Sequence, residues 1–374
     1  MKVLAIVPYH TQFCAGQRFR IELWASHLKA RGIEVEYYPF ATPALTEILY
    51  KQGQLLRKSA RMLQCYAGQL GRVLVPRERP DVVYIYREAA LIGPALIESL
   101  VRRWGVPIIY DIDEPLFVPY VSPTNGRLNK LKFFSKIDTL FEMSDHVLAV
   151  NEAIAEYAAR RARKVSVVPM AVDTERYAPA PESEGYGSLP YVGWVGTLTN
   201  QPNLELIAEP LRRLHRTHPS VLRVIADESM KLPGVEVEFI KWSYEAEVPK
   251  LRECQVGVVP VKPSAWGPYK FFFKLIQYMS LGMPVVASAI GSNLEIVEDG
   301  VNGFLARDDD EWHARLLTLL EDADLRRRMG AAARRTVEER FSLTGQIDFM
   351  ENVFRSAPSL VGATARGLAR AGHS

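Results

Sequence analysis

The sequence predicts an α/β protein of two Rossmann-like, doubly wound domains facing a central cleft, and three features of its 374 residues point there. Short apolar runs recur from end to end, with helical stretches between them. The runs are uninterrupted rather than alternating, as in parallel strands covered on both faces. They form two series of six on either side of residues 178–190, APAPESEGYGSLP, which are rich in Pro, Gly and Ser and have no apolar period.

The first series is VLAIVP (3–8), IEVEYYP (33–39), DVVYIY (81–86), PIIYDI (107–112), HVLAV (146–150) and VSVVPM (165–170). The second is YVGWVG (191–196), LRVIA (222–226), VEVEFI (235–240), VGVVPV (256–261), PVVAS (284–288) and GFLA (303–306). Strand and helix alternating in this way is a βαβ pattern, here repeated twice. The expected domains are 1–180 and 190–341, with 342–374 a C-terminal helix packing back toward the first domain and ending in a small-residue, basic, mobile tail. Asp308, Asp309 and Asp310 suit the start of a helix. In such folds a ligand crevice lies at the carboxyl ends of the strands.

Composition narrows the function classes. Hydrophobic residues make up 48% and charged residues 24%, ordinary for a globular protein, and a net charge of +3 is too small to argue for nucleic acid. Cys14, Cys65 and Cys254 are far apart and lack metal spacing, so a reducing, cytoplasmic setting without disulfides is expected. MKVLAIVPYH reads as a first strand rather than a leader, and no apolar run approaches the roughly 18 residues of a membrane span. His215 and His218 lack the Glu or Cys partners of a metal site.

The most informative stretch is 263–288, PSAWGPYKFFFKLIQYMSLGMPVVAS. It reads as a polar loop, a helix from about Lys270 to Leu281, a Gly282-Met283-Pro284 break and a buried strand. Lys270 and Lys274, four apart, would share a helix face and offer charge to an anion, with Gln277 one turn on for hydroxyl groups. Polyphosphate plus sugar hydroxyls suits such a surface; a basic, solvated helix is the plain alternative.

Other candidates sit where strands end. After the first strand, PYHTQFCAGQRFR (8–20) holds His10, Gly16, Arg18 and Arg20, a phosphate- or acceptor-touching loop or else a plain connection. YDIDEPLF (110–117) puts Asp111, Asp113 and Glu114 at a strand's carboxyl end; alternation turns Asp111 away and favours Asp113 as base, electrostatic partner or hydroxyl binder. A metal-binding D-x-D belongs to a single-domain architecture that this double pattern does not match. GWVGTLTNQPNL (193–204) supplies Gly196, Thr197, Thr199 and a helix-starting Pro202. Gly291, Ser292 and Asn293 precede a further short helix, while Gly300 and Gly303 read as a helix stop and a turn.

Residues 50–79 are basic, with Lys51, Arg57, Lys58, Arg61 and Arg72 among Leu55, Leu56, Met62, Leu63, Leu70 and Val73. The segment allows peripheral contact with an anionic membrane or a polyprenyl-phosphate acceptor, or is simply the solvated face of a packed helix.

In this order and spacing the motifs resemble the GT-B fold glycosyltransferases of family 4 (GT4, glycosyltransferase group 1). The likeness runs through VLAIVPYH…G…R with HLKARGIEVE, HVLAVNEAIAEY, SVVPMAVDTERYAP, VGWVGTLTNQPNL, KFFFKLIQYMSLGMPVVAS and IGSNLEIVEDGVNGFLARDDDEW. It implies a retaining, metal-independent hexosyl transfer from a nucleotide-diphosphate sugar, with no other cofactor. The N-terminal domain would serve the acceptor through Gly16, Arg18 and Arg20, and the C-terminal domain the donor. Lys270 and Lys274, with N–H groups near Thr197 and Ser292, would hold the leaving diphosphate. Asp113 and His10 would lie near the sugar or acceptor, and Gly196, Lys241, Trp242, Tyr269, Gln277 and Asn293 would complete the donor site. The Ile240–Trp242 segment resembles the one that brackets the base.

The chain also departs from the family pattern. Two glutamates eight apart are usual, one for the transferred sugar and one for the ribose; here those positions hold Tyr269 and Gln277. Thr197 stands where an Arg commonly follows the glycine, and no Lys appears before Lys231. The family's commonest setting is surface polysaccharide or glycolipid assembly, with a carbohydrate, lipid-linked or small-molecule acceptor. Natural-product glycosylation, a same-fold epimerase or non-glycosidic coupling enzyme, and a silent nucleotide-sugar-binding subunit are the alternatives. A dinucleotide dehydrogenase is disfavoured, since no G-x-G-x-x-G follows either opening strand.

Overall fold

The computed structural model describes residues 1–76, 78–119, 131–179 and 189–371, with side chains through residue 360. The chain divides into two compact units, Met1–Met170 together with Ile347 onward, and Ala171–Gln346. Most of the expected 178–190 linker lies outside the described residues.

Unit 1 is built on a six-stranded sheet of β1 (Lys2–Tyr9), β2 (Glu34–Ala41), β3 (Val82–Tyr86), β4 (Ile108–Ile112), β5 (His146–Ala149) and β6 (Val165–Val167). The order is β2-β1-β3-β4-β5-β6 and every pairing is parallel. Its helices are α1 (Ala15–Gln17), α2 (Leu23–Ala30), α3 (Pro43–Leu49), α4 (Leu55–Leu74), α5 (Leu96–Arg102), α6 (Lys136–Met143) and α7 (Glu152–Ala158). A π-helical turn, Arg18–Glu22, joins α1 to α2.

Unit 2 repeats the plan with β7 (Tyr191–Val195), β8 (Val221–Ala226), β9 (Val237–Lys241), β10 (Val256–Val259), β11 (Val285–Ser288) and β12 (Phe304–Ala306). The order is β12-β11-β10-β7-β8-β9, again all parallel. Around it lie α8 (Ala208–Thr217), α9 (Tyr244–Arg252), α10 (Phe273–Ser280), α11 (Asn293–Ile296), α12 (Asp309–Glu321) and α13 (Ala323–Arg340), with α14 (Leu343–Ala371) continuing into unit 1. Asp308 caps α12 as expected, its carboxylate accepting from Glu311 N–H at 2.9 Å.

All twelve predicted strands are present, and both sheets match the two-domain, doubly wound expectation. Strands such as VVYIY and VGVV are buried at every position, so the apolar runs are uninterrupted because both faces are covered. In unit 1 the strand order reverses between β1 and β3, and in unit 2 between β7 and β10. Those switch points are where open α/β sheets leave a crevice at the strands' carboxyl ends.

The helix expected from Lys270 starts later. A 3-10 turn, Gly267–Tyr269, is followed by extended residues, and α10 begins at Phe273. Ser292 Oγ is the cause: it accepts from Phe272 N–H at 3.2 Å and donates to the Lys270 carbonyl at 3.1 Å, holding that backbone out of the helical ladder. Lys270 and Lys274 therefore do not share a helix face. The helix expected around Pro202 is also different in kind, a 3-10 helix over Leu198–Ile207 with Pro202 inside it.

Candidate functional site

In unit 1 the carboxyl ends of β1, β3 and β4 gather an ionic cluster around Asp113. This residue is 1% exposed. Its carboxylate accepts from Tyr86 OH at 2.8 Å, Arg87 Nε at 2.6 Å and Arg87 Nη2 at 2.8 Å. Burial pushes its pKa up, but Arg87 and Tyr86 outweigh that and hold the carboxyl below its usual range. Arg87 Nη1 also reaches the partly exposed Glu114 at 3.2 Å.

Two backbone features make room for the cluster. Arg87 adopts a left-handed conformation, φ 59°, pinned by its N–H to the Asp111 carbonyl at 2.8 Å and by Tyr110 OH donating to its carbonyl at 2.8 Å. A non-glycine residue held there is strained, and such strain gathers at functional sites. Gly16 packs against the same group: a Cβ on it would stand 2.4 Å from Tyr86 OH, 2.6 Å from Asp113 Oδ2 and 2.9 Å from Arg87 Nη2.

The loop after β1 is fixed by Gln17, which donates to the Tyr9 carbonyl at 2.9 Å and to Glu22 at 2.7 Å. His10 is half-buried, its Nε2 3.2 Å from Thr46 Oγ1 and its ring 5.1 Å from that of Phe13. Arg18 is half-buried over the Phe19 ring.

Arg20 departs from its expected acceptor-side role. It is fully buried and forks onto Asp111, Nε to Oδ1 at 2.9 Å and Nη2 to Oδ2 at 2.8 Å, while Nη1 donates to the Val168 carbonyl. Tyr84 OH adds a third donor to Asp111 at 2.6 Å. This pair staples the turn after β1 to β3, β4 and the end of β6, and leaves Arg20 no surface for an acceptor.

In unit 2 the switch point between β7 and β10 carries Gly196 and Lys274. Lys274 is half-buried, its ammonium 4.1 Å from the Trp194 ring centroid. A Cβ on Gly196 would lie 2.6 Å from that ring and 3.0 Å from Lys274 Nζ. Neither Lys270 nor Lys274 forms an ion pair among the described residues. Desolvation, with the neighbouring Lys270 charge, lowers the Lys274 ammonium to about 7. An ammonium so placed gains from an anion. Thr197 is exposed beside it, 2.9 Å from Thr199 Oγ1 and accepting from Asn200 Nδ2 at 3.1 Å. Tyr278 OH, from α10, accepts from Val195 N–H at 2.8 Å and fixes the helix to the end of β7.

Gln277 is buried, and its amide donates to Tyr177 OH at 2.8 Å and to Glu247 Oε1 at 2.9 Å. Both donors are thus engaged within the unit. Nearby, Arg176 lies 3.3 Å over the Tyr244 ring and 3.8 Å from Glu247. Lys241 closes β9 and is exposed, and Trp242 N–H donates to the Ala226 carbonyl at 2.9 Å. Ser292 and Asn293 are fully buried: Ser292 braces the Lys270 backbone, and Asn293 Nδ2 donates to the Ser288 carbonyl at 2.9 Å. Tyr269 is half-buried at the end of the 3-10 turn, away from α10.

Sequence reasoning missed Tyr86, Arg87, Trp194, Tyr177 and Glu247. Arg87 was within reach, since it follows β3 directly, the position that singled out Asp113 after β4. The other four act through contacts too distant in sequence to leave a local signal.

Comparison with known proteins agrees with this geometry. Residues 16–176 match the model for Glycosyltransferase Family 4, and residues 189–322 the one for Glycosyl transferases group 1. The chain is 28% identical to the alpha-maltose-1-phosphate synthase of Mycolicibacterium smegmatis over 54% of its own length and 61% of that protein. It is 25% identical to the sulfoquinovosyl transferase of Arabidopsis thaliana over 71% of its own length and 54% of that protein. These matches span under two thirds of either relative. Among solved structures, a sucrose-phosphate synthase from Thermosynechococcus elongatus superposes with a TM-score of 0.68 at 14% identity, over 95% of this chain and 99% of that one. Anabaena HepE in complex with UDP and glucose gives 0.66 at 16%, over 95% and 100%. Two adjoining family matches on two parallel six-stranded units of the GT-B kind lead to one conclusion: the chain belongs to the family 4, group 1 glycosyltransferases.

Proposed function

We propose that this protein transfers a hexosyl group from a nucleoside-diphosphate sugar to a hydroxyl acceptor, with retention and without a metal. The observation that carries the reading is Lys274, an ammonium without a carboxylate partner among the described residues, held against Trp194 and Gly196 where the unit 2 sheet reverses. Breaking the bond between sugar and diphosphate builds charge on the departing phosphate oxygen, and a fixed cation there lowers the barrier by several kcal/mol. Lys270, braced by Ser292, adds a second cation, and the exposed Thr197 supplies hydroxyl and backbone donors. Lys241 and Trp242 would bracket the base. The Gln277–Glu247–Tyr177 cluster would take the ribose, with Glu247 supplying the carboxylate that Gln277 lacks. Asp113, ionised and fully hydrogen-bonded, acts as a fixed negative charge rather than as a mobile base, while Glu114 and His10 remain open to the acceptor. HepE, crystallised with UDP and glucose, supports the donor class. Assembly of a surface polysaccharide or glycolipid is the setting we favour.

Thermal stabilisation by UDP, GDP, TDP, ADP and CMP and their sugars, with and without Mg²⁺, tests the donor site. A ligand at a hundred times its Kd should add about 2.7 kcal/mol. A metal-independent preference for one diphosphate, followed by release of that diphosphate on addition of acceptor, is the expected result. No shift with any of them would overturn the reading, and binding without transfer or hydrolysis would reduce the protein to a nucleotide-sugar-binding subunit.

A further inference from the structure

Helix α4 is amphipathic, and its inward side holds two polar residues beside apolar ones. Lys58, Cys65, Gln69 and Val73 are buried, with Lys58 Nζ donating to the Lys51 carbonyl and Gln69 Nε2 to the Tyr38 carbonyl at 3.3 Å. The opposite face carries Leu56, Ala60, Leu63, Ala67 and Leu74, all exposed, at helical spacing. Leu56 is 87% exposed and Leu63 65%. At about 1.5 Å per residue, the stripe from Leu56 to Leu74 is roughly 27 Å long. Its border is cationic, since Arg57 and Arg61 are exposed alongside it. No Asp or Glu occurs between Glu47 and Glu78, while Lys51, Arg57, Lys58, Arg61, Arg72 and Arg77 all fall in that interval. The whole chain carries only +3, so its positive charge is concentrated in this segment.

We propose that the outward face of α4 docks on an anionic lipid bilayer, lying in the plane of the interface with Leu56, Leu63 and Leu74 in the acyl boundary and Arg57 and Arg61 at the headgroups. An apolar stripe edged by arginines, on a helix without acids, is complementary to that surface. No helix among the described residues is long and apolar enough to cross a membrane, so α4 lies on the bilayer rather than spanning it. A second copy of the chain is the less suited occupant, because two such faces would bring Arg57 and Arg61 against their own kind.

The test is co-sedimentation of the full chain with phosphatidylcholine vesicles with and without phosphatidylglycerol, at low and high salt. It requires no donor or acceptor, so it stands or falls separately from the transferase reading. Wild type should partition at least tenfold more strongly onto the anionic vesicles, with the difference shrinking in high salt. Leu56→Gln/Leu63→Gln should lose that binding while keeping wild-type thermal stability and nucleotide-induced stabilisation, since both side chains are solvent-exposed. Arg57→Gln/Arg61→Gln should lose the preference for anionic lipid. Equal partitioning by wild type and the leucine variant would overturn the proposal. So would a concentration-dependent dimer that the leucine variant dissolves, which would assign the face to self-association.

Discussion

At the scale of single residues, the proposed chemistry rests on groups whose neighbours set their state. Lys274 is the clearest case. Its ammonium is lowered to about 7 by burial and by Lys270, so above neutral pH the free site holds mostly an uncharged amine. A diphosphate favours the charged form, so binding must draw a proton from solvent. The expected outcome is that donor affinity falls above pH 7, by up to tenfold per pH unit until the pKa of the bound state is reached. A nucleotide sugar is the right probe, because its diphosphate diester does not itself titrate there. Titration calorimetry in buffers of different ionisation enthalpy should show proton uptake for wild type at pH 8 and none for Lys274→Met. The variant's affinity should be weak and flat with pH, and its turnover should fall by well over tenfold. Wild-type turnover in the variant would remove Lys274 from the mechanism. Gly16 makes a second residue-scale prediction. Alanine there would put a Cβ 2.4 Å from Tyr86 OH and 2.6 Å from Asp113 Oδ2, and must displace the Asp113–Arg87 pair. Turnover should drop more than tenfold, while stabilisation by nucleotide, read in unit 2, stays as in wild type.

At the scale of elements, the Arg20–Asp111 pair decides whether the turn after β1 stays attached to its sheet. Arg20→Met leaves a buried carboxylate facing an apolar side chain, and losing one partner of such a pair costs about 3–5 kcal/mol. Urea unfolding should register that loss. Arg20→Met/Asp111→Asn should recover part of it, because no charge is then left uncompensated; a single variant as stable as wild type would show that the pair contributes nothing. The same residues explain how much of the structure was legible in the sequence. The twelve strands were, because burial on both faces writes a continuous apolar run into the chain. The fate of Arg20 was not, because its partner is 91 positions away. The start of α10 was missed for a like reason: KFFFK has helical spacing, but Ser292, 20 positions after Phe272, holds the backbone extended. For α4 the sequence gives the amphipathic period without saying which leucines stay outside: Lys58 and Gln69 are buried with Cys65 and Val73, while Leu56, Leu63 and Leu74 are exposed. Of the candidate site, strand ends pointed to Asp113 and Gly16, which the fold brings together, whereas the Trp194 platform under Lys274 needed the fold.

At the scale of the whole molecule, the chain closes unit 1 with its last helix. α14 begins at Leu343, but from Ile347 onward it packs with the residues that precede Ala171. Among the described residues from Ile347 onward, Ile347, Met350, Val353, Phe354 and Ala357 are buried, and the Phe354 ring lies 6.0 Å from that of Tyr84 on β3. Arg31, in the turn between α2 and β2, donates to Glu351 at 2.7 Å. Each of the four large apolar side chains contributes about 1.5–3 kcal/mol on burial, so the set rivals the 5–15 kcal/mol by which a whole domain is usually stable. A chain ending at Gln346 should therefore lose unit 1 as a folded body, although every strand of that unit lies before residue 171. Unit 2, Ala171–Gln346, should keep its sheet, its helices through α13 and the residues around Lys274, all of which lie within the retained chain. The expected outcome for the truncated chain is rapid proteolysis of the first 170 residues, leaving a resistant fragment from about Ala171 to Gln346 that is still stabilised by nucleotide. A truncated chain as resistant as the full one would show that α14 is an appendage. Loss of both halves together would show that unit 2 needs unit 1 in order to fold.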